Sequence, residues 1–192
     1  YSMISGITNR HNNLNIIKEA ELILIQLEIP IDIVEYVIDI ARNYKKKVIL
    51  NPAPAQPLGV ELLRKVSILT PNEIEAGMLT GMAVTDEPSA KAAAQVLLSR
   101  GVAAVVITLG ERGALLGGCD HAAMVPAFAV KAIDATAAGD VFNGALAVRL
   151  AAFFVLSLAR ISGLFHNSAG GPLVAVAVAA AVIDAVFRPA HR

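Results

Sequence analysis

Two carboxylates stand six residues apart in Asp134-Ala-Thr-Ala-Ala-Gly-Asp140, and a helix-compatible run, Val-Phe-Asn-Gly-Ala145, begins directly after them. The residues between them are small, so the backbone of this turn can come close to a ligand. The start of a helix presents N–H groups that lack intrahelical partners, and those groups favour negative charge. A carboxylate in the same turn repels an anion. The role left to Asp140 is therefore to take a proton from whatever attacks that anion. Positioning, neutralising and deprotonating together are the requirements of phosphoryl transfer. A lone Gly-Asp has a structural reading as well, because Asp before or at a helix start commonly serves as an N-cap.

Composition narrows the alternatives. The 192 residues suffice for one ordinary domain with a real core. Lys+Arg and Asp+Glu are both 16, so the net charge is zero and no nucleic-acid or polyanion surface is expected. One cysteine, Cys119, excludes an intramolecular disulfide framework and a Cys-based metal cluster, and the expected setting is reduced and cytoplasmic. The four histidines, His11, His121, His166 and His191, have no metal-ligand spacing. Neither G-x-x-x-x-G-K-[ST] nor a G-x-G-x-x-G after a strand occurs, so a P-loop NTPase is not supported. The apolar runs 173–183 and 150–158 are too short to span a bilayer, and both read as buried helices. Tyr1 to Asn15 is polar and Asn-rich, unlike a signal peptide.

The elements that must hold the turn alternate between strand and helix, which argues an α/β fold with a largely parallel sheet. Strands are expected over Glu21–Leu27, Val48–Leu50, Ser67–Leu69 and Ala103–Thr108. Ala114–Gly117 returns after the Leu109–Gly113 turn as a hairpin partner, and a further β-type stretch runs from Ala122 to Val130. A helix opens at Pro30, with Ile33, Val34, Val37, Ile38 and Ala41 on one face. Others start at Thr70–Glu73 and span Glu87–Arg100. The prolines of Asn51–Pro57 exclude regular structure there, and Asn51 itself reads as part of a structural loop. That loop follows a strand at its carboxyl end, where doubly wound sheets bind ligands. Taken alone, Glu75 reads as an exposed helix residue.

The run from Asp134 to Ala145 resembles the signature of the ribokinase-like (PfkB) carbohydrate kinases, D-T-x-G/A-A-G-D-x-F-x-G-A, with Ala135 where the family commonly has Thr. Further segments look like the ribokinase branch of that family, in its order. They are Gln26–Pro30, Leu50–Ala55, Leu69–Ala76, Ile107–Gly113 and Ala132–Leu146. The resemblance implies a three-layer α/β/α, Rossmann-like fold of ribokinase type. It implies ATP-dependent phosphorylation of D-ribose to D-ribose 5-phosphate. Asp140 is then the base that accepts the proton of the sugar's primary hydroxyl, and Ala137, Ala138 and Gly139 form the anion hole. Asn72, Thr108, Gly110 and Gly113 match nucleotide-binding positions, and Glu28 matches a sugar-contacting carboxylate. Glu75 matches a position associated with the Mg²⁺ that accompanies ATP, through water. Asp134 and Thr136 look like ligands of the family's activating K⁺. His166, in Phe165-His-Asn-Ser-Ala-Gly-Gly, loosely resembles the segment lining the adenine.

The strongest match covers residues 16–150, and 151–192 reads as a divergent helical part of one partial kinase domain, 1–192. Nothing before Ile16 resembles the family's first strand, its Gly-Gly-Lys sugar loop or its β-sheet lid, through which the family forms homodimers. An incomplete fold is therefore expected. Two alternatives stay open: another sugar or nucleoside kinase of the same family, and a non-catalytic fragment that binds nucleotide or a partner.

Overall fold

The computed structural model describes the backbone of residues 10–118, 121–127 and 137–161, with side chains over 14–118, 121–127 and 137–152. Four short apolar runs form parallel strands in chain order: Leu22–Gln26 (β1), Lys47–Asn51 (β2), Ile68–Leu69 (β3) and Ala104–Thr108 (β4). Ala114–Gly117 (β5) and Ala122–Val125 (β6) extend the sheet antiparallel. The near-continuous Val, Ile, Leu and Ala content of β2 and β4 belongs to strands buried on both faces.

Helices connect and cover the sheet: Arg10–Glu19 (α1), Ile31–Asn43 (α2), Val60–Leu63 (α3), Glu73–Thr80 (α4), Glu87–Ser99 (α5) and Ala138–Ile161 (α6). Parallel strands laid down successively in one direction, with right-handed crossovers, send every connecting helix to the same face. Val34, Ile38 and Ala41 of α2, Leu62 and Leu63 of α3, Leu79 of α4 and Leu97 of α5 pack there against Val48, Leu50, Leu69, Val105 and Ile107. The opposite face carries Ile49, Ile68, Ala104, Val106 and Leu116, and α6 covers it with Leu146 and Leu150. The described residues thus form the expected three layers, with α6 as the outer layer on the second face.

Local chemistry starts and stops these helices. Pro30 stands at the N-cap position of α2 without a side-chain capping bond, and the helix carries Asp32 in its first turn and Arg42 in its last. Asp86 and Ser89 form a reciprocal capping box at α5. Gly81, at φ 76°, ends α4 in the left-handed conformation. Among the described residues, no helix is long and apolar enough to cross a membrane.

Several elements depart from the sequence expectations. From Arg10 on, the Asn-rich stretch runs into α1, which lies against α2 with Lys18 Nζ 5.1 Å from the centre of the Tyr44 ring. One helical turn, α3, follows the proline-rich loop because Leu62 and Leu63 are drawn into the core. β6 stops at Val125, before Pro126, which has no N–H to continue the ladder. Residues 128–130 lie outside the described residues. The apolar run from Leu150 is the continuation of the 24-residue α6 rather than a separate short helix.

The turn between β4 and β5 is built on two glycines. Gly110 has φ 56° and open space where a side chain would stand. Gly113 has φ 97°, and a Cβ there would lie 2.0 Å from the Val125 carbonyl oxygen and 2.7 Å from the Ala127 nitrogen. Gly110→Ala should therefore lower stability by about 1 kcal/mol, the cost of a left-handed alanine. Gly113→Ala should cost about 3 kcal/mol or more, since backbone must also move. Urea unfolding of both variants checks this; equal losses would contradict the close approach.

Candidate functional site

Strand side chains alternate between faces. On the α6 face, Leu24, Ile49, Ile68 and Val106 are followed two positions later by Gln26, Asn51, Thr70 and Thr108. Each parallel strand therefore turns polar on that face as it reaches its carboxyl end. Register brings these ends together. Gln26 is opposite Asn51, the Thr70 N–H donates to the Leu50 carbonyl at 3.0 Å, and Asn72 bridges to Thr108. The first turn of α6 starts above them. Ala137, Gly139, Asp140 and Asn143 line a cleft of about 160 Å³ with Asn51, Ala53, Thr70, Asn72, Glu75 and Thr108. A larger hollow of about 280 Å³, beside Lys91 and His121, lies at the opposite end of the parallel strands.

Ala137 enters the helix at φ 57°, and the Val141 N–H donates to its carbonyl at 3.0 Å. That is the first bond of the α6 ladder, so the N–H groups of Ala138, Gly139 and Asp140 precede it without intrahelical acceptors. Among the described residues, a Cβ at Gly139 would meet no atom within 4 Å beyond its chain neighbours and its own helix. The missing side chain therefore opens space in front of these amides.

Asp140 is exposed, and Gln26 Nε2 donates to its Oδ1 at 2.6 Å. Its second oxygen has no donor among the described residues. Behind it, the Thr70 hydroxyl donates to Asn143 Oδ1 at 2.6 Å, and Asn143 Nδ2 donates to the Gly139 carbonyl at 2.9 Å.

The other wall of the cleft is the start of α4. The Asn72 side chain accepts from the Glu75 N–H at 2.9 Å, and the Glu75 carboxylate accepts from the Asn72 N–H at 2.8 Å and from Asn72 Nδ2 at 2.9 Å. The expectation of an exposed Glu75 is corrected by this box, which draws the carboxylate in until the residue is 6% exposed. Burial raises its pKa above the usual value, and the Asn72 N–H opposes that rise. Arg112 ties the turn after β4 to this wall by donating to the Glu73 carboxylate and the Thr85 carbonyl.

The sequence-predicted residues Asp140, Ala137, Gly139, Asn72, Glu75 and Thr108 converge on the one cleft. Ala138 lies exposed in the same helical turn. Gly110 and Gly113 shape the turn beyond Thr108 and do not line the cleft, and Glu28 is exposed in the β1–α2 turn outside it. Asp134, Thr136, His166 and Cys119 lie outside the described residues. Asn51 departs from its reading as a loop residue: it is the last residue of β2, 5% exposed, and faces the cleft. Gln26, Thr70 and Asn143 join the site although sequence reasoning gives them no role there. Their signal in the sequence is a polar residue where strand or helix periodicity asks for an apolar one.

The Glu75 environment has a pH signature. A carboxyl group whose pKa is raised on folding holds more protons in the native than in the unfolded state, so its contribution is most favourable at low pH. Stability should fall as pH rises from 4.5 through the higher native value. Glu75→Gln should remove that slope. Urea midpoints of both proteins between pH 4 and about 7 decide it; a slope unchanged in the variant would assign the dependence to other groups.

Comparison with known proteins agrees with this geometry. Residues 7–184 match the model of the pfkB family carbohydrate kinases. The ribokinase of Haemophilus influenzae is 46% identical over 134 residues, which are 70% of this chain and 44% of that protein. A deoxyribokinase of Salmonella typhi is 39% identical over 132 residues, covering 68% of this chain and 43% of that protein. The chain thus spans less than half the length of the curated relatives it matches. The structure of Arabidopsis thaliana ribokinase complexed with ribose and ATP superposes with a TM-score of 0.69 at 28% identity, over 93% of this chain and 54% of that one. With a family model matched over residues 7–184 and the described part of its signature, from Ala137 on, set over the carboxyl ends of the parallel strands, this chain belongs to the pfkB family of carbohydrate kinases.

Proposed function

We propose that this site serves ATP-dependent phosphorylation of D-ribose at its primary hydroxyl, giving D-ribose 5-phosphate and ADP. The observation that carries the reading is the pairing of an exposed carboxylate, Asp140, with the open amides of the α6 first turn above four polar strand ends. The ribokinase relatives, and the ribose and ATP with which the Arabidopsis enzyme is complexed, support the substrate assignment. The deoxyribokinase relative favours a second sugar, 2-deoxyribose, as the competing reading.

In this reading the free oxygen of Asp140 accepts the proton of the hydroxyl as that oxygen attacks the γ-phosphorus. The new O–P bond forms while the bond to the β-phosphate oxygen breaks, and ADP leaves with the electron pair. The amides of the turn from Ala137 to Asp140 face the oxygens on which charge shifts. Thr108 and Asn72 flank the nucleotide phosphates, Gly110 and Gly113 shape the turn beside them, and Glu28 accepts from sugar hydroxyls.

Magnesium, when bound with ATP, withdraws negative charge from the phosphates. The residues present fit a hard cation held through water: Glu75 offers a carboxylate at the cleft, and Asn51, Asn72 and Thr108 offer neutral oxygens. The potassium assignment rests on the resemblance of Asp134 and Thr136, outside the described residues.

The direct test is phosphorylation by the full chain with ATP and ribose, 2-deoxyribose, fructose or adenosine. Preference for ribose is expected. Asp140→Ala should lower kcat by about 10³-fold while ATP binding, read by titration calorimetry, is retained. Unchanged turnover in that variant would remove Asp140 as the base. Potassium should stimulate the reaction, and equal rates with potassium omitted would refute the cation assignment.

A further inference from the structure

We infer that Thr70 and Asn143 form a latch that fixes the first turn of α6 on the strand ends, holding its open amides and Asp140 in register with the strand-borne half of the site. The functional consequence rests on the kinase reading above; the latch itself does not.

Four polar residues are buried among those described: Asn51, Thr70, Glu75 and Asn143. All four line the same cleft, so polar burial among the described residues is concentrated at the site. Thr70 and Asn143 are 2% and 3% exposed and are separated by 73 residues in the chain. Thr70 has one hydroxyl proton. Asn143 Oδ1 lies 2.6 Å from the hydroxyl oxygen and the Leu50 carbonyl 3.4 Å, so the proton goes to Asn143. The amide orientation of Asn143 is set from the other side. Its Nδ2 donates to the Gly139 carbonyl, and a flipped amide would place two oxygens against each other there.

Besides this pair, the described contacts of α6 with the sheet are one solvent-exposed hydrogen bond, Gln26 to Asp140, and the apolar contacts of Leu146 and Leu150, with Phe142 and Ala147 beside them. The apolar contacts set how far the helix stands from the sheet but tolerate axial sliding and rotation. A hydrogen bond of 2.6 Å tolerates neither, because it weakens steeply with distance and angle. The latch lies one turn beyond Gly139 and on the same carbonyl ladder, so a shift at Asn143 is a shift of the amides and of Asp140. A misplacement of about 1 Å in such a constellation is enough to lose about 10²-fold in rate. Packing alone gives no reason for the pair, since two apolar side chains of similar shape would fill the space without buried polar atoms.

The test uses the full chain with Thr70→Ser, Thr70→Val and the double variant Thr70→Val/Asn143→Leu. Amide hydrogen exchange in residues 141–150 is compared with that of α5, alongside kcat and KM for ATP and ribose. Thr70→Val should speed exchange in α6 about tenfold with α5 unchanged. It should lower kcat between about ten- and a hundredfold, with KM for ATP held within about twofold. Thr70→Ser should restore both. The double variant should keep the urea midpoint near wild type but not recover kcat. Exchange rising equally in α5, failure of serine to restore, or full kcat in the double variant would each overturn the latch. If the wild-type chain phosphorylates no sugar, the kinase reading fails, while localised exchange in Thr70→Val, restored by serine, still supports the latch and its absence overturns it.

Discussion

Everything at the site depends on α6 docking on the face of the parallel sheet that the crossover helices leave bare. Successive strands laid side by side send α2 to α5 to one side. Ile49, Ile68, Ala104 and Val106 on the other side would stand in water without Leu146 and Leu150. Burying a side chain of this size contributes about 1.5 to 3 kcal/mol, so the docking is driven by the sheet's own composition. Its geometric result is chemical. A helix lying across that face has its amino end over the carboxyl ends of β1 to β4, and the polar strand ends meet the open first turn in one cleft.

The cleft is where the molecule accepts polar burial. Thr70, Glu75 and Asn143 each have side-chain partners there, and no fully buried side-chain nitrogen or oxygen among the described residues is left without one. The buried Thr70 and Asn143 pair joins segments far apart in the chain, as do the exposed pairs Gln26 with Asp140 and Arg112 with Glu73. Hydrogen bonds of this kind add little net stability, yet removing one partner leaves a desolvated group exposed to its full penalty. The network therefore acts mainly as a constraint on position. The apolar layers on both sides of the sheet supply the folding free energy that allows it.

Much of this was legible in the sequence where one physical rule dominates. The strands of Val48–Leu50 and Ala103–Thr108, the Pro30 start of α2 and the Asp140 turn all follow from apolar runs, fixed proline geometry and small-residue spacing. What escaped depends on partners far along the chain. Glu75 reads as exposed until Asn72 is seen to close on it. Asn51 reads as a loop residue because three prolines follow within the next six positions, yet its own backbone pairs with Gln26 at the end of β2. Asn143 lies within a helix that is apolar nearly all round, and only the sheet beneath α6 shows that it faces Thr70. α1 has a weak sequence signal, since its content is polar and it lies on α2 rather than in the core.

One electrostatic tension remains in the site, and the proposed reaction resolves it. Asp140 in the first turn of α6 is favoured by the helix dipole by about 0.3 to 1 kcal/mol. The same dipole and the same amides attract a phosphate, which the carboxylate repels. Helix stability and anion binding therefore pull against each other at this residue for as long as Asp140 is ionised. In the proposed reaction, transfer of the hydroxyl proton to Asp140 would remove its charge at the stage when negative charge moves among the phosphate oxygens. Gln26 limits what the carboxylate can do before then. Its amide occupies Oδ1, and among the described residues no donor reaches the other oxygen, the acceptor in the proposed reaction. An amide suits this better than a second carboxylate, which would add negative charge beside the turn. The sequence places a neutral donor at the end of β1, and the strand register puts it within reach of a residue that lies 114 positions later in the chain.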